Sequence, residues 1–198
     1  EALLSNQTGT ENVAIGRKAL RANTTSYNTA VGSNALFANT TGAGNVAVGT
    51  FALDANTTAN NNIGIGYYSL TNNTTGTRNI GIGTSALQAN TTADNNTAIG
   101  YNALVANTTG TENVVVGANA ADAGTNISNT VAVGYNALTN TTNNHNTAVG
   151  SKALEDTTSG SSNVAVGSLA LTDNITGISN VAVGMSALRY GTAGSNNA

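Results

Sequence analysis

Few side chains in this sequence could do chemistry. Its 198 residues include one histidine, His145, no cysteine, nine Asp or Glu and six Lys or Arg. Without a thiol there is no disulfide, thiolate metal site or thiol nucleophile. One imidazole is too few for a His-built metal site, and no Ser-His-Asp set can be argued around it. The carboxylates fall mostly in loops or edges, and the adjacent Glu155 and Asp156 would alternate faces in an extended segment. Gly64-Ile65-Gly66 and Gly81-Ile82-Gly83 superficially suggest phosphate loops. They lack the lysine and the following helix that such loops need. The sequence thus points to no catalytic, cofactor-binding or metal-ligating residue and reads as non-enzymatic. His145 is expected in an exposed loop.

The remaining candidates are aromatic. Tyr67, Tyr101 and Tyr135 recur at a constant interval of 34 residues. Stacked along a rod they would form a surface stripe facing a ligand, such as a sugar or a cell-surface partner. The competing reading is that they cover a subunit seam or decorate the surface. Phe51 and Tyr68 read as local packing. Twelve N-x-S/T triplets, among them those at Asn23, Asn39, Asn72 and Asn95, resemble glycosylation acceptors. Because N-T-T recurs at one place in a repeat, they read as one structural choice made many times.

Those residues sit in a repeat, which dominates the sequence. Asn (33), Thr (32) and Gly (23) make up 44% of the chain, while charged residues are 8% and Pro, Cys and Trp are absent. A Gly closes a V/I-rich motif at Gly16, Gly32, Gly49, Gly66, Gly83, Gly100, Gly117, Gly134, Gly150, Gly167 and Gly184, at intervals of 17 residues eight times and 16 twice. The unit is N-[VIT]-[AG]-[VI]-G-x-x-A-L-x-x-N-T-T-x-x-x. Such a period predicts an all-β parallel β-solenoid, or β-roll, of about eleven 17-residue coils. Residues 12–196 form the array. Residues 1–11 match the second half of a preceding coil, and residues 197–198 the start of a further one. The sequence therefore reads as a window on a longer array. The two shortened units are expected to lose their residue on opposite sides of N-T-T, one between Thr25 and Asn28, the other between Leu138 and Asn140.

β-Branched residues two apart before each Gly predict a short strand. Their side chains are expected to stack inward as aliphatic ladders, opposite the Leu of x-x-A-L. The residue between them is Ala in eight coils, Gly in two and Val115 in one. On that expectation the small row faces outward against another subunit. Each coil also buries too few aliphatics to offset the cost of ordering its residues, which again favours an oligomer. The coil with Ala121 in the Leu position and no N-T-T is expected to be weak, bent or decorated.

Asn129-Thr130-Val131-Ala132-Val133-Gly134 resembles the N-S-V-A-I-G core of the head repeats of trimeric autotransporter adhesins, although the period here is longer. The A-V-G-x-x-A-L-x-x-N-T-T-G arrays look like repeats of bacteriophage tail-fibre and related surface-fibre proteins. The resemblance covers nearly the whole chain. It implies a left-handed β-roll, a side-by-side homotrimer, and an extracellular place on a cell surface or virion fibre. The implied function is host or surface attachment, with a host-surface glycan or matrix protein as partner.

Charge and hydropathy narrow the alternatives. The net charge of −3 lacks the basic footprint that nucleic acid requires. No apolar run approaches the roughly 20 residues of a membrane span, so no membrane insertion is expected of this segment. Two other roles suit a charge-poor solenoid: an ice-binding β-solenoid, and a subunit of a self-assembling extracellular filament.

Overall fold

The computed structural model describes residues 1–191 and 193–197. Ala198, in the expected start of a further coil, lies outside the described residues. Eleven strands of three residues run from β1 (Val13–Ile15) through β6 (Thr97–Ile99) and β7 (Val114–Val116) to β11 (Val181–Val183). They form one parallel sheet in sequence order. Each strand pairs in register with the next, so that Val46 meets Ile63, Ala47 meets Gly64 and Val48 meets Ile65. Neighbouring strands lie about 4.8 Å apart, which makes a rod roughly 50 Å long. This is the expected parallel β-solenoid, with no helix among the described residues.

The other half of each coil is a chain of turns rather than a second sheet. The core residue adopts a left-handed backbone in all eleven coils, Leu in ten of them, as at Leu53 (φ 52°) and Leu104 (φ 52°), and Ala121 (φ 48°) in the other. That conformation costs a non-glycine residue roughly 1–2 kcal/mol, so surrounding bonds must hold it. The Leu53 amide donates to the Ser69 carbonyl of the next coil at 3.0 Å, and the Asn56 amide donates back to the Leu53 carbonyl at 3.2 Å. The turn so fixed folds Leu back under the sheet and sets the width of the coil. At the end of each strand, Gly100 (φ +137°) passes so near the next coil that a Cβ would lie 2.5 Å from the Gly117 carbonyl oxygen. Any side chain at that corner would push the coils apart.

The sheet faces the opposite way from the sequence expectation. The middle residue of the strand points inward: Ala30, Ala47, Ala98, Ala132 and Ala148 are fully buried and belong to the core with the leucines. The flanking Val and Ile point out, with Val114 44% and Ile99 37% exposed. The reason is width. A Cβ placed on Gly64 would lie only 3.1 Å from Leu53 Cγ, and one on Gly81 only 2.7 Å from Ser69 Oγ. Ala or Gly fills this place in ten of the eleven strands, and Val115 in the other. At Gly81 the missing methyl makes room for Ser69, whose hydroxyl donates to the Gly81 carbonyl at 2.8 Å.

The corners are asparagine ladders, as the repeat predicts. Asn45 accepts the Asn62 amide on its Oδ1 at 3.0 Å and donates from Nδ2 to the Ala59 carbonyl at 2.8 Å. The N-T-T asparagines form a second ladder, with Asn56 Nδ2 donating to Asn39 Oδ1 at 2.8 Å. Both sets are fully buried through most of the rod. Buried amides must be paired, and stacking identical coils pairs them repeatedly.

Two irregular coils depart from expectation. In the shortened unit after Leu138, Thr141 takes the buried corner while Asn140 is exposed. The lost residue therefore follows the corner here too, as it does between Thr25 and Asn28, because the corner must stay a fixed distance from Leu. The Ala121 coil is refilled rather than empty. Val115, Ala121 and Ile127 are all fully buried, and a Cβ on Gly124 would meet Ile127 Cδ1 at 2.8 Å. Ile127 thus occupies the space beside the corner where an asparagine would sit, and Val115, the one inner-row residue larger than Ala, belongs to the same unit as Ala121. The cost is polar: with Gly124 in the corner place, the Oδ1 of Asn107 is buried without a partner.

Candidate functional site

The fold presents two long surfaces, and both arise from the strand and the Gly that ends it. The first is the outer sheet face. Two side chains per strand over eleven strands give nineteen Val or Ile and three Thr (Thr29, Thr97, Thr147) in two parallel rows. In-register pairing keeps each row continuous. The face carries no charge. β-Branched side chains on a flat pleat make a stiff apolar wall with little rotamer freedom to lose on contact.

The second surface begins one residue past the corner Gly, where Tyr67 (48% exposed), Tyr101 (56%) and Tyr135 (53%) project from alternate coils. Their backbone is fixed identically. Each tyrosine carbonyl accepts an amide from the following coil at 2.9 Å: Ser85 to Tyr67, Asn119 to Tyr101 and Lys152 to Tyr135. The intervening coils carry Thr84 and Ala118 at this position. The stripe expected from sequence is therefore a physical row with steps of roughly 10 Å, two coil spacings.

The neighbouring position behaves differently. Phe51 and Tyr68, one coil apart, stack with ring centroids 5.1 Å apart and planes 6° apart. Tyr67 meets Tyr68 edge-on at 4.2 Å. Phe51 and Tyr68 thus pack locally, as expected.

The remaining polar groups are dispersed. His145 is exposed in its loop. Asn23, Asn39, Asn56, Asn73, Asn90, Asn107 and Asn174 are buried in the corner ladder. As acceptors they would have to leave the core, which favours the structural reading of those triplets. Asn72, Asn95, Asn126 and Asn140 lie exposed. Lys152 pairs with Glu155 at 3.2 Å. Burial pushes the Asp54 carboxyl above its usual range, with a bond from the Thr71 hydroxyl at 2.5 Å acting the other way. Burial raises Asp122 too. Among the described residues, no three His, Asp or Glu side chains gather into a group that could hold a metal ion.

Sequence reasoning singled out the tyrosines but missed the outer wall, because it turned the strand over. Alternation of β-branched and small residues was visible; which set faced inward was not. No protein-family model, curated protein or solved structure matches this chain.

Proposed function

We propose that this chain is a structural and adhesive segment of an extracellular trimeric fibre, mediating attachment to a host cell or surface. The observation that carries this reading is the outer wall of Val and Ile. At on the order of 50 Å² left open per side chain, the wall offers roughly 1,000 Å², above the about 800 Å² per partner of a standard interface. Soluble monomers rarely leave so large a continuous apolar patch uncovered. Its occupant is a second and third copy of the same chain. A straight uncharged wall with a coil-by-coil repeat meets a matching repeat on an identical chain, and self-matching is what symmetric assembly requires.

In this reading the function is mechanical and the chain is not an enzyme. A stiff rod holds attachment groups away from a cell or virion, and the number of coils sets its reach. The resemblance to adhesin heads and tail-fibre repeats supports the same place and use.

Light scattering after size exclusion tests the assembly. The chain mass is 19.6 kDa, and the expected species has three times that mass. Ile82→Glu, a charge in the middle of the wall, is expected to give single chains that keep their strand signature by circular dichroism. A wild-type chain that is folded, stable and monomeric would sink the trimeric reading.

A further inference from the structure

We infer that the row of Tyr67, Tyr101 and Tyr135 is a binding platform for a neutral, extended β-1,4-linked glycan. This rests on the attachment reading above and names the chemistry of what is attached. It does not depend on the number of chains in the fibre.

Ring spacing makes the argument. Aromatics on adjacent coils satisfy one another, as Phe51 and Tyr68 do at 5.1 Å. Aromatics on alternate coils, at roughly 10 Å, are too far apart to stack on each other. Thr84 and Ala118 between them are small, so the space between the rings stays open. All three tyrosines remain about half exposed. In an extended β-1,4-linked glycan each sugar ring is turned over relative to the last. Identical faces therefore recur at every second sugar, an interval close to two coil steps. Three tyrosines at that interval meet three equivalent faces of one straight chain. The apolar C–H face of a sugar covers aromatic surface, and the phenol hydroxyl remains free for a hydroxyl of the ligand.

Two further observations select this ligand class. The row carries no charge from Ser33 to Ser168, and the next ladder carries Asn102, Asn119 and Asn136, all half-buried. The nearest charges at the Tyr135 end, Lys152 and Glu155, are paired with each other. An acidic glycan or a charged peptide would find no counter-charge here, whereas a neutral polyol finds aromatic rings beside amides. The platform is also rigid, because each tyrosine backbone is locked into the coil ladder by a 2.9 Å bond. Tyrosines held in this way lose little freedom on binding.

The test uses the full chain with cellohexaose and chitohexaose as probes and maltohexaose, whose α-linked rings coil, as the control. Calorimetry is expected to show binding of at least one β-1,4 probe and none of the α-linked control. Tyr101→Ala should weaken binding at least tenfold, and the triple Tyr67→Ala, Tyr101→Ala, Tyr135→Ala should abolish it. Tyr27→Ala and Tyr190→Ala, at exposed tyrosines off the row, should leave it unchanged. Light scattering on the same samples separates the two readings. If neither β-1,4 probe binds the wild type, or binding survives in the triple variant, the inference fails even where the trimer mass is intact. If the triple variant instead loses the assembled mass, the tyrosines belong to a subunit seam and the inference is overturned.

Discussion

Ala98 and Ile99 are neighbours in β6, yet Ala98 is fully buried and Ile99 is 37% exposed. The contrast repeats along the sheet. The inner row is restricted by volume: Leu lies across from it at contact distance, and nothing larger than Ala fits in most coils. The outer row is restricted by shape and polarity: it stays β-branched where no neighbour within the chain demands it. The inner face explains how one coil sits on the next, and the outer face is the surface on which the proposed assembly rests.

The largest expected effect breaks the inner row. Ala98→Leu should overpack the coil by roughly 3 kcal/mol or more, and hydrogen exchange should show lost protection in the coils around β6. Ile99→Thr in the same strand should change that protection by less than about 1 kcal/mol in a dissociated chain. Equal losses at the two sites would erase the distinction between the faces.

Next comes the corner that holds the inner row in place. Asn79→Ala removes the acceptor of the Asn96 amide (3.0 Å) and the donor to the Ala93 carbonyl (2.7 Å). The Asn96 amide is left buried and unpaired, while the Ala93 carbonyl keeps Asn90 Nδ2 at 3.2 Å; the loss should be on the order of 1–3 kcal/mol, again read by local exchange because solenoids open locally.

A smaller effect sharpens the one exception to the inner rule. Val115→Ala should destabilise its coil by about 1–2 kcal/mol, since Ala121 leaves that coil short of volume. Adding Ala121→Leu to Val115→Ala should recover most of the loss, whereas Ala121→Leu alone should overpack. A double-mutant cycle by thermal melting measures the coupling, and strict additivity would refute the volume exchange.

The smallest effect is a pH dependence at the rod's edge. Burial holds the folded-state carboxyl of Asp54 above the usual carboxylate range. The folded chain therefore holds this proton more tightly than the unfolded chain. The resulting contribution to stability is fully present below the unfolded value and is lost as pH rises through the folded one. Asp54→Asn should raise the neutral-pH melting temperature slightly, and the difference should vanish in acid. A variant that melts lower at neutral pH would show that the charge itself is favourable there.

The sequence by itself determined the repeat, the strand positions, the asparagine corners and the alternate-coil tyrosines. Each follows from local pattern: β-branched residues two apart make strand, Gly ends it, and a period fixes where the same side chain returns. The match of Gly81 to Ser69, or of Gly124 to Ile127, was written in the sequence but carried no signal without knowing which positions touch. The tertiary structure alone decided which face of the strand is inside. Alternation divides a strand into two faces without ranking them, and the larger apolar side chains suggest themselves as core. The left-handed turn at Leu makes the coil so narrow that in all but the Val115 strand only a methyl or a hydrogen stands across from it, and that width turns the other valines and isoleucines outward.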